Sequence, residues 1–385
     1  MKHRYILFFL FSLLILIPLN GITQKWVPPV HNVILLSGNF GELRATHFHS
    51  GIDIRTGGVV GWPVICVKDG LLARVAVSPT GYGQVLYMEH PDGTTTVYGH
   101  FDRFVPAITG RIRELQYHRQ SFQVDEDFKP YQLYFKQGDT IAFSGNTGSS
   151  GGPHLHFEVR NTLTEHPLNP LLFYSVRDTK APVVRRLYLY AVSEDGCVDL
   201  FRSCGLKTMA EGRYAAGKVT VPAGRVGLGL YVTDYMNDSW NKLGVYQMTL
   251  VADRDTLFDL QMDSCSFEQG YLINEIKDFD CYKKRETVYR CFGNYQKHFL
   301  GIRNRNGGYI QVDEDSVVQV RVLLAEINGN RSRVDLELKV GKNKVATERE
   351  ILRYDQAHLL ELPDCRVELE AGSLFFSVEK NLKME

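Results

Sequence analysis

Several common kinds of functional site are missing from this sequence of 385 residues. Its seven cysteines include no Cys-x-x-Cys spacing, so neither a redox motif nor a cysteine-rich zinc site is supported. No His-Glu-x-x-His pattern occurs, so the glutamate base of that metalloprotease class is absent. The 44 basic and 44 acidic side chains balance, which gives no sign of a nucleic-acid partner. Any site must therefore be carried by other residue types.

Long apolar runs are also absent, with one exception at the N-terminus. Residues 1–4 supply a basic start, residues 5–17 are apolar, and Pro18 and small residues lead to Thr23. This pattern is typical of a secretory signal, and the run is shorter than the ~20 residues that a membrane-spanning helix needs. We predict a signal peptide over 1–23, an exported protein of the periplasm or cell envelope, and no transmembrane segment after cleavage.

Export bears on the cysteines, because it permits disulfides. The odd cysteine count leaves at least one of them unpaired. Local pairing is open for two pairs, Cys197 with Cys204 and Cys281 with Cys291. Cys66 lies in an apolar, strand-like run, so we expect a small buried hydrophobe there.

The most informative stretch is residues 145–160, which read GNTGSSGGPHLHFEVR. A Gly/Ser-rich turn is followed by strict alternation, and this period of two predicts a half-buried strand. His154 and His156 would then point the same way, about 7 Å apart along the strand. Glu158 follows on the same face. We expect it to form a salt bridge at the surface, and the alternative is that it orients a histidine. Taken alone, the two histidines would be no more than a polar strand face.

Two further motifs make a site the better interpretation. Residues 46–54, THFHSGIDI, contain His47 and His49, a glycine that permits a turn, and Asp53 in a strand-like context. Imidazole and carboxylate together suit a borderline cation such as zinc. Residues 94–100, TTTVYGH, read as a strand that ends in His100. Seven of the twelve histidines lie between positions 47 and 156, which is not typical of scattered core histidines.

The three motifs, in this order, resemble those of the lysostaphin/LytM-type zinc metallopeptidases over residues 38–172. The resemblance implies a compact antiparallel β-sandwich or barrel of the duplicated-hybrid-motif type, and cleavage of peptide bonds in peptidoglycan. It implies three ligands for Zn²⁺ and two catalytic histidines, which are His49, Asp53 and His156 for the metal and His100 and His154 for catalysis. His47 matches no ligand position, and we expect it in the groove or behind the ligands.

The mechanism implied is hydrolysis by a zinc-bound water. Three protein ligands leave a fourth position for water, which zinc makes available as hydroxide at neutral pH to attack the carbonyl. A histidine with an ordinary pKa near ~6.5 can take a proton and return it to the leaving amine. We expect His154 and His100 to share this role, in an order that the sequence leaves open. The peptide bond cut in the stem peptides or cross-links is open as well.

Two alternatives come from other functional classes. The first is a non-catalytic envelope protein of the same fold that binds peptidoglycan or activates another wall hydrolase. Such relatives typically lack some metal ligands, whereas all five positions are filled here. The second is a histidine phosphocarrier, but a signal peptide would remove the cytoplasmic phosphodonor and Asp53 would have no role.

The domain organisation predicted is a peptidase domain over 24–176, an immunoglobulin-like β domain over 177–260, and a second β-rich accessory region over 261–385. Short strands and turns favour an all-β chain throughout, and whether the last region is complete is open. We expect the accessory regions to serve spacing, docking or binding to an envelope protein partner. The peptidase domain has an insertion over about 101–136, which is either a wall or lid of the groove or a surface excursion without a role.

Overall fold

The computed structural model describes residues 25–193, 197–293, 301–304, 306–341, 351–362, 365–374 and 377–379. The predicted signal peptide lies outside these residues. The fold is mainly β with several antiparallel sheets, so the predicted fold class is confirmed. In the part of the chain that the structure describes, no helix has the length and apolar character needed to cross a membrane.

The first region, residues 25–176, is built from short strands joined by turns, with one α-helix, α1 (Pro106–Arg119). Its strands are β1 (Leu36–Gly38), β2 (Ile52–Arg55), β3 (Pro63–Ile65), β4 (Gly70–Val77), β5 (Gln84–Glu89), β6 (Thr94–Gly99), β7 (Arg103–Phe104), β8 (Val124–Asp127), β9 (Tyr134–Phe135), β10 (Thr140–Phe143), β11 (His154–Asn161) and β12 (Pro167–Leu168).

The main sheet of this region places the three sequence motifs side by side. Its strands run in the order β1-β2-β11-β6-β5-β4-β8, so β11 lies between β2 and β6. The alternation predicted for residues 154–160 is present, with Leu155, Phe157 and Val159 fully buried on one face. The hairpin of β5 and β6 turns at Asp92 and Gly93, where a positive φ of 80° suits glycine.

The insertion over 101–136 has regular structure of its own. Helix α1 begins with Pro106, whose fixed φ suits the first helical position, and it buries Ile108, Ile112 and Leu115 on one face. Strands β8 and β9 both pair with β4. The insertion therefore extends the sheet at the edge away from β1 and β2.

The described residues after 176 continue as β structure with two short α-helices, α2 (Ile273–Ile276) and α3 (Phe279–Lys283). Its strands are β13 (Val183–Val192), β14 (Val198–Gly205), β15 (Lys207–Ala210), β16 (Arg213–Val221), β17 (Gly224–Thr233), β18 (Gln247–Ala252), β19 (Asp255–Gln261), β20 (Val288–Arg290), β21 (Ile302–Asn304), β22 (Ile310–Val312), β23 (Val317–Ala325), β24 (Arg331–Val340), β25 (Ile351–Leu352), β26 (His358–Leu362), β27 (Cys365–Leu369) and β28 (Val378–Glu379).

Strands on either side of the predicted boundary at 260/261 pair with one another. Strand β17 pairs with β20 and β22, β18 pairs with β23, and β16 pairs in parallel with β24. The two resulting sheets share one apolar core. We therefore propose a single accessory sandwich over residues 183–340 in place of two successive modules. Cys204, Cys281 and Cys291 are free thiols, so neither of the two local disulfides considered above is formed.

The accessory sandwich packs directly against the first region through hydrogen bonds that involve backbone groups. The Asn39 side chain donates to the carbonyl of Gly244 at 2.8 Å and accepts from its amide at 2.7 Å. The Asn169 amide donates to the carbonyl of Asp263 at 2.7 Å, and the Cys265 amide to that of Pro167 at 3.0 Å. These contacts bring the segment around residues 263–277 beside the strands that carry the histidines.

Candidate metal centre and groove

Strand register brings His156 and Asp53 together. Strands β2 and β11 are antiparallel, and His156 is directly opposite Asp53. Directly opposed residues have Cβ atoms about 5 Å apart, so their side chains reach one another. His49 enters from the turn before β2, where Gly51 passes so close to β11 that a Cβ would lie 2.3 Å from the carbonyl oxygen of Phe157. The glycine of the motif is thus required by packing.

The predicted metal ligands converge on one point. Asp53 Oδ1 lies 3.1 Å from His49 Nε2 and 2.9 Å from His156 Nδ1, and the two nitrogens are 3.2 Å apart. Ligand atoms about 2.1 Å from a tetrahedral zinc ion would be about 3.4 Å from one another. Two imidazoles and one carboxylate at these separations therefore fit zinc. Among the described residues, they are the one group of three His, Cys, Asp or Glu side chains close enough to hold an ion.

The far nitrogen of each ligand histidine is held by an acceptor. His49 Nδ1–H donates to the carbonyl of Asn39 at 2.8 Å, and His156 Nε2–H donates to Glu158 Oε1 at 2.8 Å. Because a carbonyl oxygen only accepts, Asn39 fixes the hydrogen of His49 on Nδ1. Both nitrogens of His156 face carboxylates, and against burial the hydrogen bonds to Asp53 and Glu158 raise the pKa of His156 to about 9. The opposite nitrogen of each ring then faces Asp53, as a metal ligand must.

His100 and His154 lie beside this group, with ring centroids 4.7 Å apart. His100 follows β6 and His154 begins β11, and their Nδ1–H groups donate to the carbonyls of Thr147 at 2.9 Å and Gly152 at 2.8 Å. His154 Nε2 is thereby turned toward Asp53 Oδ1, at 3.5 Å. His100 has a φ of 67°, a left-handed backbone conformation that costs free energy in a residue other than glycine.

The electrostatic surroundings keep the imidazoles of His49 and His100 neutral and the carboxylate of Asp53 charged. Burial and the neighbouring His154 and His156 lower the pKa of His100 to about 4, and burial also lowers the pKa of His49. Burial alone would raise the pKa of Asp53, but His49 and hydrogen bonds from the surrounding histidines hold it well below its ordinary value. Neutral imidazole and ionised carboxylate are the forms that bind a metal.

Glu158 is not the surface carboxylate that the alternation indicated. Its side chain is fully buried, and its hydrogen-bond partners all come from the first region. Besides His156, it accepts hydrogen bonds from Ser50 at 2.7 Å, Tyr82 at 2.5 Å and Arg160 at 2.7 Å. Ser50 lies in the motif of residues 46–54, so the sequence did contain a signal for it, whereas Tyr82 lies outside the three motifs, between two glycines.

Arg44 is a further residue of the site that the sequence did not reveal. Its Nη2 donates to Asp53 Oδ2 at 2.8 Å, which leaves Oδ1 toward the two histidines. Arginine suits this position because its guanidinium keeps its charge and donates in a fixed geometry. No motif marks it, since it lies in the loop before His49.

A groove of about 560 Å³ runs over the metal centre. His47 lines it, as expected, together with residues of the first region and of the accessory sandwich. Its remaining walls are formed by Arg44, Ala45, Phe48, Ser50, Gly81, Tyr82, Ser149, Ser150, Gly151, Cys265, Ser266, Phe267 and Gly270. Of the two roles left open for the 101–136 insertion, a wall of this groove has no lining residue to support it, and residues from 265 to 270 line the groove instead.

Comparison with known proteins identifies relatives for the part of the chain that carries this site. No family model matches the chain. It is 30% identical over 129 residues to the DD-carboxypeptidase/endopeptidase Mpg of Neisseria meningitidis serogroup B, covering 34% of this chain and 23% of the relative. Over 123 residues it is 30% identical to an uncharacterized metalloprotease of Haemophilus influenzae, covering 32% of this chain and 20% of the relative.

The chain thus spans less than a quarter of the length of these curated relatives. Among solved structures, a zinc containing peptidase from Vibrio cholerae is 25% identical over 39% of each chain. Its TM-score of 0.29 is too low to carry an argument about the fold of the whole chain.

Proposed function

Because the curated relatives confirm its resemblance to the lysostaphin/LytM-type metallopeptidases, we propose that this chain is a zinc-dependent peptidase. His49, Asp53 and His156 are the proposed ligands, and His100 and His154 the proposed catalytic residues. The observation that carries the proposal is the convergence of three ligand atoms within 3.2 Å, with two further imidazoles beside them.

The residues around the ion supply proton transfer. Zinc, when bound, polarises the scissile carbonyl and makes hydroxide available at neutral pH. The Nδ1–H groups of His100 and His154 are occupied by backbone carbonyls, so their Nε2 atoms are free to accept a proton and return it to the leaving amine. The lowered pKa of His100 keeps it neutral, in the form that accepts protons, down to about pH 4.

The substrate that we propose is the peptide part of peptidoglycan, either stem peptides or cross-links. Two Neisseria relatives are named DD-carboxypeptidase/endopeptidase, which supports a cell-wall peptide as substrate. An endopeptidase exported to the periplasm or cell envelope would meet this substrate. The groove over the ligands has a volume of about 560 Å³ in which such a peptide would bind.

The test is digestion of purified sacculi by the protein from residue 24 to 385, with released muropeptides identified by mass spectrometry and zinc measured by elemental analysis. We expect one zinc per chain, lost in His49→Ala, and at least a hundredfold loss of hydrolysis in His154→Ala with zinc retained. His118→Ala, an exposed histidine of α1, serves as the matched control.

Two outcomes contradict the proposal. The first is wild-type protein that binds no zinc, and the second is His154→Ala that still releases muropeptides at the wild-type rate. Binding to sacculi without any release of muropeptides would instead favour the non-catalytic envelope protein.

A further inference from the structure

Lys277 is a buried lysine that belongs to the accessory sandwich and contacts the loop before the first metal ligand. It follows α2, and only 1% of its surface is exposed. Lysine is almost never buried in this way without partners. Its Nζ donates to the carbonyl of Arg44 at 2.8 Å and to that of Ala45 at 2.5 Å, and it lies 4.2 Å from the ring centroid of Tyr282.

The loop that Lys277 holds runs from Leu43 to Phe48. The two ends of the loop form a β-bridge, and the Arg44 amide donates to the carbonyl of His47 at 3.1 Å. The loop is therefore a compact unit that leads directly into His49. The carbonyls of Arg44 and Ala45 both accept from one ammonium group, which restrains the Arg44–Ala45 and Ala45–Thr46 peptide units.

Arg44 connects this loop to the metal centre. Its guanidinium donates to Asp53 Oδ2 at 2.8 Å, and Asp53 Oδ1 faces His49 and His156. A ligating carboxylate that is held through its second oxygen has less freedom to rotate, which strengthens metal binding. A displacement of the Arg44 backbone would move its guanidinium and release this oxygen.

We propose that Lys277 is a positioning residue for the metal centre, acting through Arg44 on Asp53. The inference rests on the proposed function, because it takes His49, Asp53 and His156 as zinc ligands. It assigns the accessory sandwich a part in building the metal centre, in addition to any docking role. Asn39 and Asn169 already join the two regions through backbone hydrogen bonds, so Lys277 is not needed for that purpose alone.

The experiment is a double-mutant cycle on zinc affinity in the protein from residue 24 to 385. Zinc dissociation constants are measured by competition with a chromophoric chelator for wild type, Lys277→Met, Arg44→Met and the double variant. Methionine matches the length of lysine and removes all three donors. We expect each single variant to weaken zinc binding about 10- to 100-fold, and the double variant to be no weaker than the worse single one.

Rescue and control variants separate positioning from general stability. Lys277→Arg keeps charge and donors, and we expect its dissociation constant to stay within about threefold of wild type. Lys283→Met changes an exposed lysine of α3 nearby, and we expect no change. If methionine at 277 prevents folding, which the thermal unfolding of chelator-treated protein would show, Lys277→Gln replaces it in the same cycle.

The outcomes distinguish this inference from the proposed function. Unchanged zinc affinity in Lys277→Met, or effects of the two single variants that simply multiply, would overturn the role of Lys277 while leaving the zinc site intact. A wild-type protein that binds no zinc would overturn the proposed function itself.

Discussion

At the scale of single residues, the site is organised by what lies behind each imidazole. Four histidines surround Asp53, and each donates one ring N–H to a fixed acceptor, which is a backbone carbonyl for three of them and Glu158 for His156. Backbone carbonyls are positioned by the fold and cannot rotate away. These acceptors hold the rings in place, which reduces the cost of assembling the centre.

Glu158 is the exception, because its position depends on other side chains. We predict that Glu158→Gln weakens zinc binding about 10- to 100-fold and destabilises the fold by roughly 3–5 kcal/mol, since buried Arg160 loses its charged partner. Zinc competition and urea unfolding measure the two effects. Glu165→Gln is the control, because this exposed carboxylate also contacts Arg160 and should change stability by less than about 0.5 kcal/mol. Equal effects of the two substitutions would show that burial of the charge is unimportant.

The five proposed site residues could be predicted from sequence because each sits in a short motif with a distinctive spacing. Their supporting residues could be predicted only in part. Glu158 was visible in the alternation, but its burial depends on Ser50 and Tyr82, which lie 108 and 76 positions away in the chain. Arg44 and Lys277 carry no local signal, since their partners are 9 and more than 230 positions away in the chain.

At the scale of elements, the groove depends on the short 3₁₀ helix Phe267–Leu272. The Phe267 ring is half exposed, and the Arg160 guanidinium lies 4.7 Å from its centroid. The ring therefore forms an apolar wall of the groove that packs on a charged side chain. A peptide in the groove would pass this ring.

We predict that Phe267→Ala raises KM for a peptide substrate several-fold, about 1 kcal/mol, while kcat and zinc affinity stay unchanged. Steady-state kinetics on a defined muropeptide measures KM and kcat separately. Phe279→Ala, on α3 and similarly exposed, is the control and should have no effect. A fall in kcat with constant KM would contradict a role in substrate binding.

Elements with local signals were predictable, and those that depend on distant pairing were not. The hairpins β5–β6 and β23–β24 follow from their turn sequences. Helix α1 was missed although Ile108, Ile112 and Leu115 have helical spacing, because the insertion was interpreted as a loop. The boundary at 260/261 could not be tested locally, since β16 pairs in parallel with β24 more than 100 residues later.

At the scale of the whole molecule, the interface between the two regions contains a buried acid. Asp234 lines a small cavity there, and its Oδ1 has no hydrogen-bond partner. Burial, and the nearby Asp178 and Glu326, raise the pKa of Asp234 to about 8. The folded protein therefore holds this proton at pH values where the unfolded chain, with an ordinary pKa near 3.8, has lost it.

This difference fixes the sign of a pH dependence. Between about pH 4 and 8 the folded state binds more protons, so the contribution of Asp234 to stability falls as pH rises, by up to about 1.4 kcal/mol per unit. We predict that Asp234→Asn flattens this slope and stabilises the protein at pH 8. Urea unfolding from pH 5 to 8 checks it, with exposed Asp238→Asn as the control. A variant that is less stable than wild type at pH 8 would contradict the prediction.

The placement of residues 265–277 also determines when the proposed site becomes complete during synthesis. A growing chain that has reached residue 172 already carries all five motif residues, but neither Phe267 nor Lys277 has yet been made. These two supports of the proposed site form only after another hundred residues of polypeptide have been made and a second sandwich has folded. The proposed metal centre is therefore completed late in synthesis, well after its own ligands.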